Sequence, residues 1–387
     1  MDSDYNHLII DLGASYCKYG LSKEIKQKHF SNNESSDNDT LISGICYHKK
    51  EDKDFFHSKK DFKDCIYNYH FKYPLKFHEC DYYREYPDYY ELDDYKYMIV
   101  ELENDIEMLE KIYDFLFSKI DFDSYEQNVL LTEKGFISKI FKTIDAELMF
   151  ETFDVQNLYI ANIGALSLLS QGKFTGIAVD IGYTAAQIIP VFEGTKIATS
   201  LTLNCGAKDM DTYLFNEYKR DFGKKIPFKS FEKYREENCS FDPNHKLKDP
   251  YIEGKLFRDK YQKCPEVLFN PELNKNSEYG IVGGLIQSIK NFEENEKKEL
   301  FGSICLSGGI TYMNGFLEKF RKELIDQLKS QDNEKFISDI NIIAANNRNY
   351  NVLIGGALFS EMGPDSMWVS RKEYKEFGSN IVFQKCF

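Results

Sequence analysis

Short apolar runs of strand length alternate along the chain with longer stretches in which apolar residues recur at helical spacing. Residues 8–11 and 16–21 predict two strands that are joined by a turn of small residues. Residues 105–117 place apolar side chains three and four positions apart, which predicts an amphipathic helix. The further predicted strands are 128–131, 158–160, 175–181, 186–192, 303–307 and 341–345, and the further predicted helices are 137–153, 161–171, 210–218, 280–292, 316–329 and 352–359. This alternation predicts the α/β fold class.

Two of the predicted hairpins share one design, in which an apolar strand ends in Asp, one further residue and Gly. The first is Ile-Ile-Asp-Leu-Gly at 9–13, and the second is Ala-Val-Asp-Ile-Gly at 178–182. A Gly in a tight turn lets backbone N–H groups approach a phosphate closely. Asp11 and Asp180 can bind a hydrated divalent cation, which is the form of Mg²⁺ that proteins usually hold. Two such hairpins would clamp a triphosphate, although either one alone is also typical of an ordinary turn.

A third segment adds weight to a phosphate-binding function. Leu-Ser-Gly-Gly at 306–309 stands between a predicted strand and a predicted helix. Gly permits close approach of a ligand there, and the N-terminus of a helix attracts negative charge. The chain contains no GxxxxGK[ST] sequence, which disfavours a P-loop nucleotide-binding fold.

Charge and cysteine usage restrict the classes of partner and compartment. The net charge is −14 over 387 residues, which argues against direct binding to nucleic acid or to an anionic membrane surface. The apolar runs are too short and too polar to cross a bilayer, so no membrane partner is expected. Nine Cys without a CxxC pair, together with a polar and acidic start, predict a reduced intracellular compartment.

Metal and nucleophile alternatives are weak. His70, His78 and Cys80 form a thin candidate metal cluster, for which scattered surface residues are the favoured interpretation. The acidic, Tyr-rich stretch at 80–97 is interpreted as an inserted surface loop. Cys386 is expected to be structural or exposed rather than catalytic, since no Ser-His-Asp or Cys-His set has supporting context.

Ordered segments through most of the chain resemble actin and the actin-related proteins. These segments are KYPL at 72–75, VLLTE at 129–133, MFETF at 149–153, CPEVLF at 264–269, LSGG at 306–309, IGG at 354–356 and the tail at 367–387. The resemblance fades over about 23–71, in the Tyr-rich stretch and over 218–263. It implies an actin-like two-lobed fold, with a ribonuclease H-like duplicated core and a central nucleotide cleft.

The resemblance also implies a division of the chain between the two lobes. Lobe I is expected at 1–163 plus 350–387, with a variable small subdomain at about 23–71 and an inserted loop at about 80–97. Lobe II is expected at 164–349, with a shortened small subdomain at about 206–263.

Motif position implies that ATP or ADP, with Mg²⁺ bound through water, is held by two phosphate loops. The first loop is Asp11, Gly13, Ala14, Ser15 and Lys18, and the second is Asp180, Gly182, Tyr183 and Thr184. Gly308 and Gly309 would lie beside the adenosine and the phosphates, and Asp11 and Asp180 would be the metal-side residues. Lys18 is the best candidate for a direct phosphate contact, because its ammonium is a point charge.

Four positions depart from the family pattern around the expected nucleotide. Actins have a Gln that orients the attacking water, and the matching residue is Ile163, which cannot form a hydrogen bond. Tyr183 stands where actins have a further Asp, and Gln187 stands where they have a His. Asn349 replaces a Lys near the adenine. Because phosphoryl transfer depends on positioning and electrostatics, we expect nucleotide binding with slow or absent hydrolysis, and not an efficient ATPase.

The expected assembly contacts depart from actin as well. Residues 271–276 match an apolar plug loop of actins but are polar, and 43–61, at the nucleotide-sensing loop, are rich in Lys, Asp and His. A polar plug cannot supply the apolar burial of a lateral filament contact. One actin-like end and one divergent end suit a subunit that does not propagate a filament.

These features predict a divergent actin-related protein of the cytoplasm and cytoskeleton, a nucleotide-binding subunit of an actin- or dynactin-type assembly. Its partners would be actin, actin-related proteins and other subunits of that complex. Three alternatives stay open: a nuclear actin-related subunit of a chromatin-remodelling complex, a polymerising ATPase actin, and a small-molecule kinase or chaperone of the same superfamily.

Overall fold

The computed structural model describes residues 6–13, 17–30, 42–43, 48–50, 53–55, 102–120, 128–133, 139–223, 226, 228–242, 244–252, 254–274 and 279–386. Contacts divide the chain into two compact units. Unit 1 comprises Met1–Ser170 and Tyr350–Phe387, and unit 2 comprises Gln171–Asn349. The assignment of these units to actin-like lobes with small subdomains stays a prediction.

Unit 1 is built on a six-stranded sheet in the order β16-β7-β6-β1-β2-β3. The strands are β1 (Leu8–Leu12), β2 (Cys17–Leu21), β3 (Ile42–Ser43), β6 (Asn128–Glu133), β7 (Asn157–Asn162) and β16 (Val369–Ser370); β4 (His48–Lys50) and β5 (Lys53–Phe55) form a separate hairpin. β1, β6 and β7 run parallel, and β2 returns antiparallel beside β1. The three parallel strands are apolar and almost wholly buried, as is typical of strands that are covered on both faces.

The helices of unit 1 cover this sheet. They are α1 (Ser22–Phe30), α2 (Leu102–Lys119), α3 (Lys139–Glu147), α4 (Ile163–Leu169), α11 (Asn351–Met362), α12 (Arg371–Phe377) and α13 (Val382–Lys385). α11 packs tightly on α4, because a Cβ atom added at Gly355 would lie 1.9 Å from the carbonyl oxygen of Leu166. Gly355 therefore allows two helices to approach more closely than a side chain would permit.

The helix predicted over 137–153 proved to be two elements. α3 ends at Glu147, and a π-helical turn follows at Leu148–Thr152, with Phe153 N–H donating to the Leu148 carbonyl at 3.0 Å. Leu148, Met149 and Phe150 are consecutive and all buried. A regular α-helix turns about 100° per residue, so three consecutive side chains point in different directions. The wider π-helical turn accompanies the burial of all three.

The C-terminal residues are fixed to the core of unit 1. The Ile160 N–H donates to the Cys386 sulfur at 3.4 Å, and the Lys142 ammonium donates to the Cys386 carbonyl at 2.9 Å. Burial raises the pKa of the Cys386 thiol to about 11. Cys386 is thus buried and structural, and its thiol is protonated at neutral pH.

Unit 2 repeats the strand arrangement of unit 1 in part. Its sheet has the order β10-β9-β8-β14-β15, with β11 also on β9. The strands are β8 (Gly176–Ile181), β9 (Ala186–Phe192), β10 (Thr195–Lys196), β11 (Leu201–Leu203), β14 (Ile304–Ser307) and β15 (Ile342–Ile343), and β12 (Tyr251–Ile252) pairs with β13 (Lys255–Leu256). The β8–β9 hairpin beside parallel β14 corresponds to the β1–β2 hairpin beside parallel β6.

The helices of unit 2 are α5 (Ala207–Phe222), α6 (Lys229–Asn238), α7 (Arg258–Lys263), α8 (Ile281–Ser288), α9 (Glu294–Phe301) and α10 (Phe316–Ser330). α5 and α6 are joined by a buried ion pair in which Arg235 donates to Asp211 at 2.7 Å. Both units combine helices with a mixed sheet that has parallel strands at its centre, so the α/β prediction is confirmed. None of the helices in the described residues is long and apolar enough to span a membrane.

Candidate functional site

The first Asp-x-Gly segment stands at the carboxyl end of the buried strand β1. Asp11 is 6% exposed, and its two oxygens accept hydrogen bonds from the Thr132 hydroxyl at 3.0 Å and the Lys18 ammonium at 3.3 Å. Lys18 reaches Asp11 because the two residues are cross-strand partners in the hairpin. The pairing offsets the cost of burying a carboxylate.

The structure describes only part of the first expected phosphate loop. Gly13 follows β1 directly, whereas Ala14 and Ser15 lie outside the described residues. Asp11, Lys18 and Gly13 are therefore the members of this loop that the structure brings together at one strand end.

The second Asp-x-Gly segment is supported in a similar way in unit 2. Asp180 accepts a hydrogen bond of 2.7 Å from the hydroxyl of Ser307, which is its partner on the parallel strand β14. The turn closes through a 3.0 Å bond from the Gly182 N–H to the Ala185 carbonyl. Each unit thus places a hydroxyl from the adjacent parallel strand on the carboxylate of its Asp-x-Gly segment.

The remaining residues of the second loop rest on the beginning of α5. The Lys208 N–H donates to the Tyr183 carbonyl at 2.8 Å, and the Ala207 N–H donates to the Gly182 carbonyl at 3.2 Å. Tyr183 and Thr184 are half-buried. The first backbone donors of α5 therefore fix the shape of this loop.

Gly308 and Gly309 have different structural requirements. Gly308 has φ +88°, and a Cβ atom there would lie 2.2 Å from the Ile181 carbonyl oxygen. Gly309 is exposed, and a Cβ atom there would meet nothing within 4 Å. Gly308 is thus required by the close approach of β14 to β8, whereas Gly309 offers open backbone to a ligand.

Two of the positions that depart from the family pattern, Ile163 and Gln187, lie at or near the beginning of a regular element. Ile163 is the first residue of α4 and is 2% exposed. Gln187 is buried on β9 directly opposite Asp180. An apolar side chain at 163 excludes hydrogen bonding at that point, while Gln187 keeps a polar group next to the second carboxylate.

Thr132 and Ser307, which support the two carboxylates, were not identified from the sequence. Both are small hydroxyl residues at the carboxyl end of a buried apolar strand. A signal existed, because Thr132 lies in the VLLTE segment and Ser307 in the LSGG segment. Parallel neighbours present such residues side by side, which periodicity within one strand does not show.

An aromatic platform near Gly309 was also missed. The Arg348 guanidinium lies 3.9 Å from the ring centre of Tyr312, and the Tyr312 hydroxyl donates to the Asn346 carbonyl at 2.6 Å. Arg348 also donates to Thr311, at 2.8 Å to both its hydroxyl and its carbonyl. The side-chain oxygen of Asn349 lies 3.0 Å from the same Tyr312 hydroxyl. These contacts fix the ring, while 40% of Tyr312 stays exposed.

The two Asp-x-Gly segments each carry one carboxylate that could bind a metal ion. Within the described part of the chain, no group of three or more His, Cys, Asp and Glu side chains could hold a metal. Mg²⁺ usually keeps several waters and binds through one or two carboxylates plus phosphates. Asp11 in unit 1 and Asp180 in unit 2, each taken by itself, suit that chemistry, and His70, His78 and Cys80 lie outside the described residues.

Comparison with known proteins identifies the family of the chain. A family model described as Actin matches residues 3–255 and 235–387. The chain is 29% identical over 305 residues to a protein described as putative actin-29 from Dictyostelium discoideum. The aligned region covers 72% of this chain and 77% of that protein. The actin-like fold expected from the sequence is therefore confirmed, and the chain belongs to the actin family.

Proposed function

We propose that this actin-family protein binds ATP or ADP with a hydrated Mg²⁺ and hydrolyses ATP slowly or not at all. Nucleotide then acts chiefly as a structural ligand that stabilises the folded chain by mass action. The observation that carries the proposal is the buried Ile163 at the start of α4. The same sheet carries the paired Asp11 and Lys18. The binding groups are retained, and the group expected to orient water is replaced by hydrocarbon.

In this proposal the two carboxylates hold the hydrated cation and the loops hold phosphate. Asp11 and Asp180 accept hydrogen bonds from metal-bound water, and Lys18 offers its ammonium to a phosphate oxygen. Backbone N–H groups of the two loops supply further donors, with Gly13, Ala14 and Ser15 in the first and Gly182, Tyr183 and Thr184 in the second. Mg²⁺, when bound, neutralises phosphate charge.

On the adenosine side we propose contacts with Gly308, Gly309 and Tyr312. Support comes from the open backbone at Gly309 and from the fixed, exposed ring of Tyr312. A purine can stack on an aromatic ring, and the Arg348 guanidinium on that ring strengthens the platform. Asn349 supplies an amide where actins carry Lys, so recognition of the base there is neutral rather than cationic.

The binding half of the proposal is tested by titrating the purified full chain, stripped of nucleotide, with MgATP and MgADP. We expect saturable binding that weakens when Mg²⁺ is chelated. The Lys18→Met variant should bind more weakly than the wild type, because it lacks the ammonium. Lys329→Met, a charge change on α10, serves as the matched control. Absence of binding by the wild type would refute the proposed function.

The hydrolytic half is tested by single-turnover measurement with radiolabelled ATP. We expect the bound ATP to remain intact over a period in which filamentous actin, measured alongside, releases phosphate. Cleavage at the rate of actin would overturn this half while leaving the binding half intact.

We further propose that the protein is a non-propagating subunit of a cytoskeletal assembly in the cytoplasm. Pro271–Asn274 forms a 3-10 turn in which the Asn274 amide donates to the Asp209 carbonyl at 2.6 Å. Leu273 is 40% exposed, whereas Pro271, the other apolar residue of this turn, is buried; 275–276 lie outside the described residues. A turn tied to α5 with one exposed Leu supplies little apolar surface for a lateral contact.

Two measurements test this assignment. Pelleting at high protein concentration with MgATP should leave the protein in the supernatant, and sedimentation as filaments would instead support a polymerising actin. Affinity purification from native cells should recover actin or actin-related proteins with other cytoskeletal subunits. Recovery of a chromatin-remodelling ATPase would refute the cytoskeletal assignment in favour of the nuclear one.

A further inference from the structure

Asn162, the last residue of β7, carries a buried hydrogen-bond donor that the protein does not use. Its side-chain oxygen accepts from the backbone N–H groups of Gly164 at 2.9 Å and Ala165 at 3.4 Å. Its side-chain nitrogen is buried and has no hydrogen-bond partner among the described residues, and Asn162 is only 2% exposed. Buried polar groups are nearly always satisfied, so such a donor calls for a partner from outside the chain.

Capping of α4 does not explain why this residue is Asn. A cap needs only the acceptor oxygen, and Ser and Asp provide one as well as Asn does. Neither of them would leave an amide nitrogen buried beside the cap. The part of Asn162 that the fold does not need is therefore its –NH₂ group, which can donate but not accept.

The position of Asn162 within the sheet indicates what that partner is. β1, β6 and β7 are adjacent parallel strands, so their carboxyl ends form one edge, and ligands of α/β sheets bind at such edges. Asp11 lies near the end of β1, two strands from Asn162, which corresponds to roughly 10 Å. Asn162 is in register with Glu133, whose carboxylate accepts from the Lys142 ammonium at 3.1 Å.

We propose that the side-chain –NH₂ of Asn162 donates a hydrogen bond to a phosphate oxygen of the bound nucleotide. The proposal rests on the proposed nucleotide-binding function and adds a ligand-binding residue to it. A phosphate suits this place because its oxygens only accept, and because Lys18 already brings a second donor to the same sheet edge.

This contact would favour binding without turnover. The –NH₂ group can hold a phosphate, but it has no lone pair with which to receive a proton from an attacking water. The adjacent Ile163 offers no acceptor either. The pair Asn162–Ile163 therefore adds affinity for the nucleotide and supplies no group for its hydrolysis.

The test compares nucleotide affinity with stability in three full-length variants. Asn162→Asp and Asn162→Ser both keep a cap acceptor and lose the amide donor. The control is Ser370→Asn, which changes the N-cap of α12. Ser370 pairs with Asn157, the first residue of β7, whereas Asn162 is the last residue of that strand. MgATP is titrated into each nucleotide-free protein, and the unfolding midpoint is measured without nucleotide.

We expect Asn162→Ser to weaken MgATP binding about ten- to a hundredfold, the range that loss of a hydrogen bond to a charged group implies. Asn162→Asp should weaken it more, because a carboxylate repels phosphate. The nucleotide-free midpoints should stay at the wild-type value, since the cap is intact, and Ser370→Asn should leave affinity unchanged.

The outcomes separate this inference from the function on which it rests. If the wild type and Asn162→Ser bind MgATP equally well, the proposed hydrogen bond to phosphate does not exist, and the result for Asn162→Asp cannot change that. The proposal of nucleotide binding is unaffected by this outcome. A lower nucleotide-free midpoint, in proportion to the affinity loss, would show that Asn162 acts through stability alone and would overturn the contact. If the wild type binds no nucleotide, both proposals fail.

Discussion

The half-buried carboxyl group of Asp145 shows how one residue can give the protein a pH dependence. The Tyr113 hydroxyl donates to Asp145 at 2.7 Å, joining α2 to α3. The two residues line a cavity of about 20 Å³, together with apolar side chains and Thr132. A cavity of that volume can hold one water molecule. Burial raises the pKa of Asp145 from 3.8 to about 7, against the hydrogen bond from Tyr113, which lowers it.

This pKa predicts that unit 1 loses stability as the pH rises from about 4 to about 7. In that range Asp145 is protonated in the folded chain and ionised in the unfolded chain, so unfolding releases a proton. Asp145→Asn should remove this pH-dependent loss of stability. The unfolding midpoint of the variant should therefore exceed that of the wild type by more at pH 8 than at pH 5. Denaturation measured at both pH values checks this.

Asp326→Asn, on the exposed face of α10, serves as the control, and we expect it to leave the pH dependence as in the wild type. An equal gain in midpoint at pH 5 and pH 8 for Asp145→Asn would contradict the prediction.

Restoring the replaced groups tests whether they limit hydrolysis. Ile163→Gln combined with Tyr183→Asp and Gln187→His should raise the single-turnover rate of ATP cleavage by at least tenfold. The physical reason is that the amide and the two polar groups expected from the family pattern are restored, and the amide can orient an attacking water. Ile163→Leu is the control, since it changes shape without adding a hydrogen bond. A triple variant that binds MgATP and cleaves it no faster than the wild type would show that other groups limit the rate.

At the scale of elements, the sequence predicts the two Asp-x-Gly hairpins closely, because strand, turn and Gly all lie within a few residues. It does not predict the hydroxyls of Thr132 and Ser307 on Asp11 and Asp180, since those contacts join strands more than a hundred residues apart. The π-helical turn at Leu148–Thr152 was missed for a related reason. Its apolar residues fit a helical period, and only packing decides that the helix widens there.

The two glycines of the LSGG segment should respond differently to a methyl group. Gly308→Ala should lower the free energy of unfolding by about 2–4 kcal/mol, because φ +88° strains Ala and its Cβ would overlap the Ile181 carbonyl. Gly309→Ala should leave stability within about 0.5 kcal/mol. Chemical denaturation of the two variants checks both values.

The same pair also separates structural from ligand-binding roles. If Gly309 lies against the nucleotide, Gly309→Ala should weaken MgATP binding while stability is retained. Equal destabilisation by both substitutions would contradict the assignment of Gly308 as the packing glycine.

At the scale of the whole molecule, composition and motif order were enough to predict an actin-family chain of the α/β class. What they could not supply is the set of contacts that distinguishes this member, such as the Tyr312–Arg348 platform and the buried Arg235–Asp211 pair. Each of these joins residues from different elements. Such pairs follow from the fold and carry no local pattern.

Bound nucleotide should stabilise the folded chain in a concentration-dependent way. At a free MgATP concentration one hundred times the dissociation constant, the gain is about 2.7 kcal/mol. The unfolding midpoint should therefore rise with each increase of MgATP. Asp180→Asn should reduce the rise, because it removes the carboxylate that we propose on the metal side. Thermal unfolding over a nucleotide series measures this. A midpoint that does not change with MgATP would count against a structural role for nucleotide.

The burial of Cys386 beneath β7 has a counterpart elsewhere in the chain. Cys17, Cys205, Cys239, Cys264 and Cys305 are buried as well, so all six cysteines of the described residues are screened from reagents. A maleimide can reach these thiols only when the surrounding segment opens, and thiols are distributed over both units. The alkylation rate of each cysteine, measured by peptide mapping, would therefore report how often the surrounding region opens. The protein carries its own probes of local opening, and slower labelling with nucleotide bound would show which regions the ligand holds closed.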